Sequence, residues 1–591
     1  MGGRSIAALH EAIAEVAGTR DCIVWRDRRL SWRDVTDRTR RFANALLAAG
    51  VGGTSRAVEH GWESPHDHVA LYLTNGNEYL EAMLGCWKAR AASVNVNYRY
   101  TAEELAYVLE DSGSRAVVYH ARFAPVLADA LAGCPDVEAL VAVDDGSGVA
   151  PLPGSVDYED FLAAAPAARP DLSWSGDDRY VVYTGGTTGK PKGVLWRQDD
   201  FLASALGIDA SVDELSERAA RPDRPRALPA PPFMHGAAHW NALSCWLAGG
   251  TVLIQDETDR LDPADVLDVC ERERATSLLL VGDAFARPLV DELEASPRDL
   301  GALRFVMTGG AILSPAIRSR LLTALPQVRV LDVLGSSETG RHGVGSSTGA
   351  SEAEPGVFAP SETTVVLDHG RRRPLTPGDD ADGWLAQRGR VPLGYLGDRE
   401  KTEATFPRID GVVHAVAGDR ARLRADGKIE LLGRESVTIN TGGEKVHAEE
   451  VEQVLKGHET VYDALVVGRP SARWGQEVIA VVAIRGTFDD EAVTEHAATH
   501  LARYKLPKDY VLVDEIRRSA SGKPDYAWAK RVAVSAGDTR CDEPSPPEDR
   551  ATSARPLPPT AASSSTPCSG IATISSHGCT PPTRSRRTDS G

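Results

Sequence analysis

The sequence predicts an α/β protein. A large N-terminal domain of layered α/β subdomains covers 1–434, a small α+β C-terminal domain covers 435–535, and a disordered tail covers 536–591. Three observations carry this. Short apolar runs alternate with helix-length amphipathic stretches through the N-terminal part, the pattern of helices layered on a largely parallel sheet. A new set of strands and helices starts beyond Gly433-Arg434-Glu435-Ser436. Composition then shifts after about Ser535 to Pro, Ser, Thr, Arg and Asp without apolar periodicity, which cannot bury enough surface to fold. At 591 residues the chain exceeds the size at which one core stops growing.

The elements follow in order. Ile6, Leu9, Ile13 and Val16 fall at helical spacing; His10, Glu11 and Glu15 among them argue strongly against a signal-peptide core. Val69–Leu73 reads as a buried strand, Asn75-Gly76-Asn77 as a turn and Glu78–Arg90 as a helix. Strands are expected at Ala116–Tyr119, Ala139–Val143, Thr251–Ile254, Ser277–Val281, Phe305–Thr308 and Val328–Leu331. Several end in Gly-rich or polar turns, where open α/β sheets bind ligands. Segment 341–383 is rich in Gly, Ser and Pro and reads as loops with short β structure. The small domain is expected to hold strands Ala464–Val467 and Val478–Ile484 and helices Ala448–Lys456 and Asp490–Arg503.

Composition narrows the function. A net charge of −18 argues against nucleic acid or an anionic membrane surface as the main partner. No apolar run is long enough to span a bilayer. None of the eight cysteines forms a C-x-x-C pair, so zinc and redox motifs lack support, and reduced thiols in a cytoplasmic protein are expected. Oligomeric state is not readable, and a homo-oligomer is left open.

Tyr183-Thr184-Gly185-Gly186-Thr187-Thr188-Gly189-Lys190-Pro191-Lys192-Gly193-Val194 follows the apolar Tyr180-Val181-Val182. Glycines allow close backbone approach and positive φ, threonines add short donors, and Lys190 and Lys192 add charge, which suits a polyphosphate. It is not a Walker A loop: three residues separate Gly185 from Gly189, and Pro191 replaces the metal-binding hydroxyl. Downstream, Gly335-Ser336-Ser337-Glu338-Thr339-Gly340 sets a carboxylate among hydroxyls, a combination that can hold magnesium beside phosphate, although Ser-Glu-Thr also suits a helix N-terminus. Thr308-Gly309-Gly310-Ala311, Pro232-Phe233-Met234-His235-Gly236, Gly418-Asp419, Gly433-Arg434, Asn440–Val446 and Ser519-Ala520-Ser521-Gly522-Lys523-Pro524 are each ordinary turns or surface residues when taken singly.

In this order the motifs resemble those of the adenylate-forming superfamily: acyl-CoA synthetases, firefly luciferases and nonribosomal adenylation domains. The resemblance spans roughly residues 5–535. Trp196–Asp200, Gly335–Gly340, Ile439–Val446 and Val94–Tyr100 are most similar to actinobacterial acyl-CoA ligases of the fatty-acid and steroid-side-chain type. It implies a mobile C-terminal lid, ATP and CoA as co-substrates, and Mg2+. Thr184–Lys190 and Lys192 would hold the phosphates, Gly310 and Ala311 would pack on adenine, and Ser337 would belong to the nucleotide site. Glu338 would hold the metal, and Thr339 would contact the α-phosphate. Asp419, whose carboxylate can accept both ribose hydroxyls, and Arg434 would bind the ribose side. His235 would gate the acyl pocket, with Trp240 a further lining candidate. Gly442 and Gly443 would border the pantetheine tunnel, Ser436 would be the hinge, and Lys523 would offset charge built up during adenylation.

The chain departs from the pattern at four places. Gly185 stands where most relatives have Ser, Ala417 where they have Thr, Ser436 where many have Asp or Lys, and Asn440 where several have Lys. The implied activity is ATP-dependent acyl-CoA ligation. The alternatives are an adenylation enzyme loading a carrier protein and an ATP- or acyl-binding relative without turnover.

Overall fold

The alternating N-terminal pattern builds two sheets with helices between and outside them. The computed structural model describes residues 4–541 apart from 54–55, 186–189, 349–355, 380, 442–443 and 472. Among the described residues, the larger sheet has eight strands. Their order is Gly340–Ser347, Arg329–Ser336, Phe305–Gly309, Ser277–Leu280, Arg226–Pro229, Thr251–Ile254, Asp21–Trp25 and Arg28–Ser31. The smaller has five parallel strands: Ala92–Asn95, His68–Tyr72, Ser114–His120, Ala139–Val143 and Val156–Asp157. One apolar core joins the facing sides, taking Ile23 and Val252 from one sheet and Val69 and Val118 from the other. Helix Asn77–Lys88 lies in that layer with all of its residues buried, as expected of a helix that meets protein all round. Separate cores on the outer faces pack helices Pro263–Arg272 and Gly282–Ala295 on the larger sheet, and Ala102–Ser112 on the smaller.

Two further sheets carry the site. Arg179–Thr184, Lys192–Arg197 and Gly394–Tyr395 pair antiparallel. A mostly antiparallel sheet containing Asp382–Arg388, Asp419–Leu423 and Ile429–Arg434 leads into the C-terminal part. That part has its own sheet, from Thr438–Thr441, Glu444–His447, Val461–Ser471, Gly475–Ile484 and Asp509–Val513, and its own apolar cores. Residues Met1–Arg540 form one compact unit.

Several expected boundaries move. Val328–Leu331 becomes Arg329–Ser336, because the strand runs on into a hairpin with Gly340–Ser347. That partner strand, Gly-Arg-His-Gly-Val-Gly-Ser-Ser, has no apolar alternation to reveal it. Helix Asp490–Arg503 ends at Ala498, where the Thr499 hydroxyl donates back to the His496 carbonyl at 2.7 Å. The tail expected from 536 begins later, since helix Tyr526–Cys541 continues through its first six residues; residues 542–591 lie outside the described residues.

Candidate active site

The glycine-rich segment lies between two antiparallel strands, with Thr184 opposite Lys192. Gly185 is exposed, and a Cβ placed on it meets nothing within 4 Å among the described residues. Gly186, Thr187, Thr188 and Gly189 lie outside the described residues. The Lys190 ammonium sits 4.4 Å from the centre of the Tyr107 ring. Lys192 is committed elsewhere: its ammonium pairs with Asp398, the N-cap of helix Arg399–Thr405. It anchors the foot of the hairpin rather than reaching into the loop.

Ser337, Glu338 and Thr339 form the turn between Arg329–Ser336 and Gly340–Ser347, not the start of a helix. Glycine is required beside it: a Cβ on Gly335 would lie 2.2 Å from the Gly340 carbonyl oxygen. Thr339 is fully buried, and its hydroxyl accepts from Ser336 N at 3.2 Å and donates to the Gly340 carbonyl at 3.2 Å. Thr339 therefore closes the turn with the hydroxyl that the resemblance assigns to phosphate. Two contacts tie this turn to the glycine-rich hairpin. Trp196 Nε1 donates to the Ser337 carbonyl at 3.0 Å, and Tyr395 Oη, on the third strand of that sheet, donates to Glu338 Oε1 at 3.1 Å.

Asp419 and Arg434 begin and end facing strands, so register places them directly opposite each other. Arg434 Nε donates to Asp419 Oδ1 at 3.2 Å, and Asp419 raises the Arg434 pKa. Lys523 reaches the same place from the C-terminal part. Its loop is closed by Ser519 N donating to the Lys523 carbonyl at 2.9 Å and Gly522 N to the Ser519 carbonyl at 2.8 Å. Arg518 clamps it further, binding both oxygens of Asp463 at 2.8 Å and the Gly522 carbonyl at 3.1 Å. Gly522, at φ +74°, leaves just enough room against Phe285, and Arg485 binds Asp291 at 2.6 Å. Both partners lie on helix Gly282–Ala295, which thus seats the loop. The Lys523 Cε then lies 3.9 Å from where a Cβ on Gly310 would be.

Lys523 keeps accessible surface, yet burial is the main cause of its lowered pKa. Both hold for a side chain facing an open cleft. Arg434 lowers its pKa further, whereas Glu338 and Asp419 oppose the shift. His235 N-caps helix Gly236–Leu247; its Nε2 is buried without a hydrogen bond among the described residues. Burial first, and Lys523 next, push its pKa down to about 3, so it is a neutral imidazole at working pH. Trp240, one turn on, is half-buried and donates to Tyr180 Oη at 2.6 Å.

The four central charges, Lys523 and Arg434 against Glu338 and Asp419, cancel. A triphosphate therefore fits best when it arrives with a divalent cation. Among the described residues no group of three metal-ligating side chains exists. Glu338 alone, together with phosphate oxygens, suits magnesium, which commonly uses one or two carboxylates. Ala311 is half-buried in the loop after Phe305–Gly309, and Ser436 is exposed in the short 3-10 turn Glu435–Val437. Gly442 and Gly443 lie outside the described residues, between strands Thr438–Thr441 and Glu444–His447, which pair as a hairpin. Sequence reasoning missed Tyr395 and Arg518. Tyr395 stands in no motif, whereas Arg518 adjoins Ser519–Pro524 and a basic residue beside that turn was a usable signal.

Comparison with known proteins agrees with this geometry. Residues 10–396 match the AMP-binding enzyme family, and residues 450–523 match the AMP-binding enzyme C-terminal domain. The chain is 46% identical over 541 residues to a medium-chain acyl-CoA ligase of Mycobacterium avium, covering 90% of this chain and 98% of that protein. It is 38% identical to a 3-oxocholest-4-en-26-oate–CoA ligase of Rhodococcus rhodochrous, covering 89% and 95%. Among solved structures, an anthranilate CoA ligase bound to anthranoyl-AMP shares the fold with a TM-score of 0.78 at 21% identity, covering 91% of this chain and 99% of that one. ATP-bound MatB from Rhodopseudomonas palustris gives 0.72 at 25% identity, covering 90% and 99%. With matching motifs, fold and family over most of its length, the chain belongs to the AMP-binding enzyme family.

Proposed function

We propose that the protein is an ATP-dependent acyl-CoA ligase for a fatty acid or a steroid side-chain acid. The observation that carries this is the meeting of Lys523 with Gly310, Glu338, Asp419 and Arg434 in one cleft. In the first half-reaction an acid carboxylate oxygen attacks the α-phosphorus of ATP. The bond to the bridging oxygen breaks, giving acyl-adenylate and pyrophosphate. Asp419 and Arg434 hold the ribose side, and the hairpin 184–192 holds the departing phosphates. The Lys523 ammonium offsets charge developing at phosphorus. Glu338 would hold Mg2+, which, when bound, supplies neutralising charge to the phosphates. Neutral His235 borders the acyl entrance without becoming a second cation.

In the second half-reaction the CoA thiol attacks the acyl carbonyl and AMP leaves. On this reading 1–434 is the adenylate-forming domain and 435–535 the mobile lid. The lid turns near Ser436, withdraws Lys523 and brings Gly442 and Gly443 to the thiol. The enzyme acts in the cytoplasm, and a homo-oligomer is compatible with this scheme. No helix among the described residues is long and apolar enough to cross a membrane. The test is a CoA-thioester assay with ATP across medium-chain, long-chain and steroid carboxylates. Acid-dependent pyrophosphate release with thioester formation is expected; no acid-dependent release across the panel would overturn the reading.

A further inference from the structure

We infer that Asp283 is a positioning residue for adenylation: its carboxylate joins the Gly310–Ser314 loop to Lys456 of the C-terminal part, so that seating this part and placing Lys523 are one event. This rests on the acyl-CoA ligase reading above. Helix Gly282–Ala295 carries Asp283, Arg287 and Asp291 at intervals of four residues, which puts them on one face. The C-terminal part meets that face with Lys456, Tyr462 and Arg485. Lys456 Nζ lies 3.8 Å from Asp283 Oδ2, and Arg485 binds Asp291 at 2.6 Å. The Arg287 guanidinium stands 5.0 Å from the centre of the Tyr462 ring, and that of Arg485 stands 4.6 Å from it. Val461 pairs with Ile484, so Tyr462 and Arg485 share one end of their hairpin. Negative, positive and negative groups on the helix thus meet a cation, an aromatic ring and a cation. Such complementarity fixes register between two surfaces.

Within this row Asp283 reaches both ways. Its Oδ1 accepts from Ser314 N at 2.7 Å, and its own N donates to the Ile312 carbonyl at 3.3 Å. Those bonds hold the loop that starts at Gly310, beside which Lys523 stands. Its Oδ2 is buried and has no hydrogen bond among the described residues. The cations facing it are Lys456 at 3.8 Å and Arg287 at 3.9 Å. All three side chains are buried. Removing one partner from a buried charge pair leaves the other uncompensated. Here that penalty falls on the seated pose, because Lys456 belongs to the C-terminal part and regains water when that part withdraws. Glu452, one turn back from Lys456, is engaged within its own part: it accepts from Val466 N at 2.9 Å and from Tyr526 Oη at 3.3 Å. Arg485 and Asp291 are more exposed than this pair, so solvent weakens their contribution. The Asp283 charge therefore sets how firmly Lys523 is held during the first half-reaction.

The test measures each half-reaction in Asp283→Asn, Lys456→Met and the double variant. Asparagine keeps an oxygen for Ser314 N and loses only the charge. Each single variant should lower kcat for acid-dependent pyrophosphate release by roughly tenfold or more, with KM for ATP changing less, and the double variant should lose less than the product of the two. Thioester formation from CoA and a supplied acyl-adenylate should keep its wild-type rate, which also verifies the fold. Lys456→Arg should restore most of what Lys456→Met loses. Multiplicative losses in the double variant overturn the inference, as do an equal fall of both half-reactions and unchanged pyrophosphate release in the single variants. Should Asp283→Asn not fold, Lys456→Met against Lys456→Arg decides by the ratio of the two half-reaction rates. Absence of acid-dependent pyrophosphate release from the wild type would count instead against the ligase reading.

Discussion

Lys523→Ala is the sharpest perturbation, because the proposed mechanism assigns this one side chain to the first half-reaction alone. The lysine enters a cleft already holding Arg434, Glu338 and Asp419, whose charges act on it. An ammonium about 4 Å from a developing charge is worth about 4 kcal/mol at an effective dielectric constant of about 20, or roughly 10³ in rate. Arg434 remains in the variant and supplies part of the field, so the expected loss of adenylation is on the order of 10²–10³-fold. Acid-dependent pyrophosphate release measures it. Thioester formation from CoA and a supplied acyl-adenylate should persist, because the proposed scheme withdraws the lysine before that step. The pH profile offers a second reading. Burial and Arg434 lower the Lys523 pKa, so adenylation should decline with rising pH at lower values than the roughly 10.4 of a free lysine. An equal fall of both half-reactions in a folded Lys523→Ala protein would refute the division of labour.

Asp419→Ala removes the proposed ribose acceptor and leaves Arg434 without its cross-strand partner; KM for ATP should rise about 10–100-fold, and an unchanged KM would remove Asp419 from the site. Gly185→Ser restores a hydroxyl at a position with open space around its Cβ; a severalfold lower KM for ATP is expected, and no change would mean that the missing donor is immaterial. His120, His239 and His342 are pushed down to about 4 by burial. Unfolded histidines titrate near about 6.5, so between these values only the unfolded chain takes up protons, and stability is lost as pH falls through that window, by roughly 3 kcal/mol for each by its lower end. Tm should therefore fall between pH 7 and pH 5, less steeply in His342→Gln; an unchanged slope in that variant would exclude His342 as a contributor.

Much of this site is legible in the chain because its chemistry needs particular residue types at short spacing. The glycine-rich segment, Gly335–Gly340 and Ser519–Pro524 are local motifs; the first lies between paired strands with residues 186–189 outside the described residues, and the other two are turns or loops near Arg434 and Asp419. Helix Ala448–Lys456 was readable to the residue, since its apolar spacing and acidic first turn are local too. Strand Gly340–Ser347 was not, because its residues owe their conformation to pairing with Arg329–Ser336. The contact between Tyr395 and Glu338 was equally hidden, for it joins residues that no local pattern relates.

The sequence by itself determined the family, the order of the motifs and the class of reaction, because phosphate, ribose and a developing charge each demand a recognisable side chain. Only the tertiary structure decided which of those side chains are available. It commits Lys192 to Asp398 and turns the Thr339 hydroxyl inward. It seats Lys523 beside Gly310 through helix Gly282–Ala295. Those outcomes depend on strand register, burial and long-range charge pairing, which arise only when distant segments pack together.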